Sequence, residues 1–244
     1  IQSLLRDIDR PLTLVPVYIG YEHVMEVGSY HKELSGNKKQ KESILGVFKA
    51  IKSLRNYGKG FVTFGEPINI NQFLNKQVPQ WREAIDPIDP QKPSWLTPTV
   101  NVLANDVMTA VNKGAALNGV SLVALILLSS ENRAMSEQEL IAQLDFFLTI
   151  QRNAAYSDLL NVPDQTGKEL LAHVIELNKV TVEEDNFGTI ISLDAKASLE
   201  MRYYRNNILH SYVVPSLVCR ILDRNAKVAQ EQLEGDVLSI FKLI

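Results

Sequence analysis

The stretch "PLTLVPVYIGYEHVMEV", residues 11–27, decides how the rest of the chain is read. Leu12 to Ile19 is almost wholly apolar, the pattern of a strand covered on both faces. Pro16 stands in its middle, although proline cannot donate a ladder hydrogen bond. Tyr21, Glu22 and His23 follow as a small polar cluster at the strand's end. Two readings of Pro16 are open, and the residues alone favour the first. It marks an edge strand or bulge, where a missing N–H costs nothing. Or it shapes a wall beside a bound ligand, since it fixes φ and leaves the facing carbonyl unpaired.

Outward from this strand, "KKQKESILGVFKAIKSLRN", residues 38–56, repeats Ile44, Val47, Phe48, Ile51 and Leu54 at helical spacing, an amphipathic helix. Asn56 and Gly58 serve as stop signals. "GFVTFGEP", 60–67, is a second short strand ended by Gly65 and Pro67. Strand, helix, strand is a βαβ unit, for which parallel strands and a right-handed crossover are expected. Residues 1–78 are therefore read as an α/β remnant, the C-terminal part of a larger domain. Two strands alone leave a flank unpaired. "IQSLLRDIDR" opens without a methionine and "GDVLSIFKLI" closes on apolar residues, so a fragment of a longer chain is expected.

Five prolines, Pro79, Pro87, Pro90, Pro93 and Pro98, crowd residues 79–98, a connector on this reading. Residues 99–244 read as a mainly helical domain, truncated. Helices are expected in "VNVLANDVMTAVNKGAA", "SLVALILLSS", "MSEQELIAQLDFFLTIQRN" (Ser136 and Glu139 in capping-box spacing) and "GKELLAHVIELNKV". Residues 180–193 alternate around a turn at Asp185–Gly188, a hairpin. "ASLEMRYYRNNILHSYVVPSLVCRILDR" is one long helix that Pro215 breaks or kinks. Helices followed by a hairpin suggest a winged-helix-like arrangement.

Composition narrows the function. Apolar residues make up 45% and charged residues 22%, as in a globular protein. A net charge of −3 gives no support to nucleic-acid binding. The single cysteine, Cys219, excludes an internal disulfide and a cysteine-based zinc site. The apolar run "GVSLVALILL" is well short of the roughly 20 residues a membrane-spanning helix needs. No phosphate-cradling, dinucleotide, serine-hydrolase or zinc-protease motif occurs. The four histidines, His23, His31, His173 and His210, are far apart, and His173 reads as a helix residue with a satisfied ring nitrogen.

The opening stretch "PLTLVPVYIGYEHVMEVGSYHKEL" resembles the fourth conserved block of the bacterial membrane-associated glycerol-3-phosphate acyltransferases. The likeness continues through "KSLRNYGKGFVTFGEPI", "WREAIDPI", "WLTPTVN" and "YYRNNILH…VPSL", so it covers nearly the whole chain. It implies transfer of a fatty acyl group from acyl-CoA or acyl carrier protein to the sn-1 hydroxyl of glycerol 3-phosphate, with no cofactor. It also implies a peripheral place on the anionic cytoplasmic face of the cell inner membrane. The family's catalytic signature is a histidine followed five residues later by an aspartate, the imidazole acting as base and the carboxylate orienting it. Here the residues five beyond each histidine are Gly28, Gly36, Asn178 and Pro215. The chain thus carries no catalytic residue of that type, and a fragment inactive by itself is expected.

By the same resemblance Pro16, Tyr18, Tyr21 and Glu22 are the candidate substrate-binding residues. Tyr18 also fits simple packing. Glu22 suits acceptance from a substrate hydroxyl, or bracing an arginine, as well as a solvated loop acid. His23 reads as a phosphate contact or a surface histidine. Lys38, Lys39, Lys41, Lys49, Lys52, Arg55 and Lys59 form a basic face, a solvated one or one that meets a membrane, carrier protein or CoA phosphates. "RYYRNN" with His210 reads as a hydrogen-bonding seam. The alternative function is an interaction module without catalysis. DNA is a poor partner for it: Lys168 to Lys179 is neutral and the hairpin tip carries Glu183, Glu184 and Asp185.

Overall fold

The structure, a computed structural model, describes residues 11–23, 58–86, 88, 92–186, 188–225 and 227–241. The amphipathic helix expected at 38–56 and most of the basic face lie outside them. The described chain divides into two compact units. The first comprises the described residues within 11–19, 61–115 and 157–160; the second comprises the rest. This division does not follow the proline-rich segment that the sequence marks as a boundary.

In the first unit, β1 (Thr13–Leu14) pairs antiparallel with β4 (Ile68–Asn69), Thr13 opposite Asn69 and Leu14 opposite Ile68. Strand β2 (Val17–Tyr21) pairs with β3 (Gly60–Phe64), and the division into units runs through both. Their direction follows from two hydrogen bonds. Gly65 N–H donates to Pro16 O (2.8 Å), and Glu22 N–H donates to Lys59 O (3.1 Å). As one strand advances the other recedes, so the pair is antiparallel. The expected parallel βαβ unit is corrected here: element order alone does not set strand direction.

Pro16 lies where the pairing changes partners. Between Leu14 opposite Ile68 and Pro16 opposite Gly65, Val15 alone faces both Glu66 and Pro67. That is the count of a β-bulge. Proline is tolerated there because the ladder is already interrupted.

Helix α1 (Ile70–Gln77) follows at once, its N-cap Asn69 accepting from Gln72 N–H through Oδ1 (3.0 Å). Its inner face, Ile70 and Leu74, packs with Trp81 and with Leu103 of α2 (Leu96–Lys113). Trp81 is fully buried and donates its indole N–H to Asn75 Oδ1 (2.9 Å). The segment read as a connector therefore supplies a core residue. Proline density forbids long regular elements, not burial. Pro98 sits in the first turn of α2, where a missing N–H has no helical acceptor to lose.

The second unit runs α3 (Gly119–Leu127), β5 (Ala134–Ser136), α4 (Glu137–Asn153), α5 (Gly167–Glu176), β6 (Thr181–Asp185) and β7 (Gly188–Ser192). Then come α6 (Ala195–Ile208), α7 (His210–Arg224) and α8 (Gln230–Phe241). The three strands form one antiparallel sheet in the order β5-β7-β6. Every residue of α3 is buried, which explains why "GVSLVALIL" shows no polar stripe: α4, α5 and α6 all pack on it. Side-chain caps start three successive helices: Asn118 for α3, Ser136 for α4 and Thr166 for α5, the first and last as full capping boxes.

The long helix expected through Pro215 is two helices, and the break lies at Leu209. Pro215 sits inside α7 and has no N–H for the carbonyl of Ser211 one turn earlier. Gln151 of α4 fills that vacancy. Its Nε2 donates to Ser211 O (2.7 Å), and its Oε1 accepts from Tyr156 N–H (2.9 Å). Gln151 is 1% exposed, so both ends of a buried amide are satisfied.

Candidate functional site at the end of strand β2

Alternation along β2 sends Tyr18 inward, while Ile19 and Tyr21 are exposed. In the first unit Pro16 is buried, and Tyr18 packs near Gly114. In the second unit Tyr21 is about half exposed and Glu22 is only 2% exposed. Glu22 is thus not a solvated loop acid.

A carboxylate this deeply buried needs donors. Glu22 Oε2 accepts from Lys59 N–H at 2.7 Å and lies 2.8 Å from His173 Nε2. The backbone repeats the tie, since Glu22 N–H donates to Lys59 O. Gly58 makes room for the turn: its φ is +69°, and a Cβ there would sit 2.6 Å from Glu22 Oε2 and 2.7 Å from Glu22 Cβ. The sequence marks Gly58 only as a stop signal. The structure gives it a close-approach role that the residue pattern does not reveal.

His173 lies in the last turn of α5. Its Nδ1 is 4.0 Å from the exposed carboxylate of Glu176. The helix is closed by Asn178 in the left-handed region (φ 53°): Lys179 N–H donates to Val174 O and Asn178 N–H to Ile175 O. This is a Schellman closure. It turns Lys179 inward, where it is 8% exposed, donates to Tyr204 Oη (3.2 Å) and lies 5.1 Å from the centre of that ring. Burial lowers the Lys179 pKa from its ordinary value, and Glu200 partly opposes this. Burial also lowers the pKa of His23, the Lys179 charge adds to it, and Glu200 again opposes.

The second unit therefore joins Glu22 to a histidine that the sequence treats as an ordinary helix residue. The satisfied ring nitrogen is present; its partner, 151 positions away, had no local signal. What the arrangement does chemically is fix a carboxylate and orient an imidazole. The "RYYRNN" run supplies buried Tyr204 to the Lys179 contact. Among the described residues no group of three His, Cys, Asp or Glu is placed to hold a metal, and no helix is long and apolar enough to cross a membrane. A cavity of about 600 Å³ in the same unit, walled by Leu125, Ile126, Phe147, Tyr212 and Leu217, contains none of the four candidate residues.

The family described as "Glycerol-3-phosphate acyltransferase C-terminal region" matches residues 30–244. A glycerol-3-phosphate acyltransferase of Colwellia psychrerythraea is 68% identical over all 244 residues. Proteins of the same name from Pseudoalteromonas translucida and Shewanella amazonensis are 50% identical over 242 residues and 48% over 244. Each match covers 99–100% of this chain, which spans about 30% of the length of these curated relatives.

Proposed function

Because this chain belongs to the family of the glycerol-3-phosphate acyltransferase C-terminal region, we propose that it serves as the C-terminal part of an enzyme that acylates glycerol 3-phosphate. The reaction is transfer of a fatty acyl group from acyl-CoA or acyl carrier protein to the sn-1 hydroxyl, the first step of phospholipid synthesis. The observation that carries this reading is likeness along the full 244 residues to proteins of that name.

In this reading the strand of Pro16, Tyr18 and Tyr21 borders the substrate, and the proton-abstracting histidine and its aspartate come from the remainder of the enzyme. None of the four histidines here has an aspartate five residues on. Pro16 contributes a stiffened, interrupted ladder, Tyr18 packing beneath it, and Tyr21 an exposed ring at the strand's end. Glu22 enters as a brace, its charge already met by Lys59 N–H and His173. The enzyme works as a peripheral protein on the anionic cytoplasmic face of the inner membrane.

An assay with labelled glycerol 3-phosphate and a long-chain acyl-CoA tests the division of labour. The 244-residue chain alone is expected to give no lysophosphatidate above background, and a full-length enzyme containing it is expected to give abundant product. Acyl transfer by the short chain would show that it holds a base of its own.

A second reading, an interaction module without catalysis, draws on one observation. The order α3, β5, α4, α5, β6, β7 with a β5-β7-β6 sheet supports a winged-helix-like reading. The outer side of α5, however, mixes Lys168 with Glu169 and Glu176, and the hairpin exposes Glu183 and Glu184. Such surfaces repel a phosphate backbone. Titration against duplex DNA at low salt is expected to show no binding; tight binding would favour this second reading.

A further inference from the structure

We propose that His173 is a positioning residue for acyl transfer: through Glu22 it holds the end of the strand that carries Tyr21. The inference rests on the functional reading above.

The chain of constraint is continuous within the second unit. The Thr166–Glu169 capping box fixes the start of α5, and the turn at Asn178 fixes its end. His173 therefore projects from a rigid helix. Its Nε2 meets Glu22 Oε2 at 2.8 Å, and the same oxygen takes Lys59 N–H at 2.7 Å. Glu22 N–H then ties to Lys59 O, so the residue is held by side chain and backbone together. Tyr21, its neighbour, is left about half exposed.

Two features say that this carboxylate is held and not offered to a ligand. It is 2% exposed, and the space beside it is filled to the point that only a glycine fits at position 58. A buried carboxyl group that lost its imidazole would be held by one donor fewer, and the strand end would shift to reach water. A misplacement of about 1 Å at a substrate wall costs on the order of 100-fold in rate.

A purely structural latch predicts something different. It would lower the folded fraction, and with it the apparent kcat, while leaving both KM values alone. The test is made in a full-length acyltransferase carrying these residues, with H173A, H173Q and H173N compared at equal folded concentration. Expected is a rise of roughly tenfold in KM for glycerol 3-phosphate in H173A, with KM for the acyl donor unchanged. H173Q, which can present an amide N–H near the same oxygen, restores most of it. H173N, too short to reach Glu22, does not, and it replaces the alanine variant should that one fail to fold. E22Q added to H173A brings little further loss, since the pair acts as a unit. Unchanged KM values in H173A and H173N, or a glutamine variant no better than alanine, would overturn the assignment. If the unsubstituted enzyme makes no lysophosphatidate, the functional reading fails and takes this inference with it. A hydrogen-bonded His173 Nε2–H resonance in the 244-residue chain would then still report the Glu22 contact itself, so the two failures are told apart.

Discussion

Two glycines show how little of a residue's role lies in its identity. Gly58 combines a left-handed φ of +69° with a Cβ position 2.6 Å from Glu22 Oε2. Gly58→Ala is expected to destabilise the chain by more than about 1 kcal/mol, from the backbone conformation alone before the clash is counted. Gly235 lies exposed in α8, with nothing within 4 Å of an added Cβ. Gly235→Ala is expected to stabilise by roughly 0.5–1 kcal/mol, the helix-propensity difference. Urea midpoints for the two variants, measured side by side, check both signs. From the sequence Gly58 is a stop signal, and nothing there sets it apart from Gly235. Their difference is the presence of Glu22, which only the folded chain brings to Gly58. The same holds for His173, whose bond spans 151 positions. Pro16 was more legible: a bulge was one of the two meanings its type allows in a strand, and the one-residue slip between Leu14 and Gly65 is that bulge.

Elements were read best where their signals are local. The caps at Ser136 and the alternation around Asp185–Gly188 lie within a few residues, and α4 and the β6–β7 hairpin stand where those signals put them. Strand direction was not legible, because it depends on how a connection runs in space and not on its order. The helix breaks at Leu209 and not at Pro215, for a related reason. Pro215 removes a hydrogen bond wherever it stands, but where the helix yields depends on what receives the freed carbonyl. Here that partner is Gln151, from a helix 60 positions earlier. Gln151→Leu would leave buried Ser211 O without its donor and Tyr156 N–H without its acceptor, a loss of roughly 2–4 kcal/mol. Pro215→Ala restores a backbone N–H that can reach Ser211 O. The double variant is therefore expected to be less unstable than Gln151→Leu alone, by about 1 kcal/mol or more. Chemical unfolding of the two single variants and the double one checks the coupling; strict additivity would mean that Gln151 does not serve the proline's missing bond.

At the scale of the whole molecule, composition and charge told the class of protein but not how its buried ionisable groups shape its stability. His23 and Lys179 both have their pKa values lowered, chiefly by burial. A base with a lowered folded pKa binds its proton less readily than the unfolded chain does. The unfolded state then takes up protons first as pH falls, so stability declines. For His23 that decline begins near its ordinary value of 6.5 and is complete below its lowered folded value. Lys179 acts in the same sense further up, its contribution growing as pH rises toward 10.5. Tyr212 opposes at the alkaline end: burial raises its pKa, so above its ordinary value of 10.0 the unfolded chain loses the proton first and stability falls. Stability is thus expected to peak on the alkaline side of neutrality, a position that a net charge of −3 does not foretell. Between about pH 7.5 and about pH 5 the wild-type chain should lose stability, and His23→Gln, which cannot titrate, should lose measurably less. Urea unfolding of both proteins at the two pH values decides it. Equal losses would mean that the imidazole beside the strand end is as free to take a proton in the folded chain as in the unfolded one, and that burial around Lys179 does not reach it.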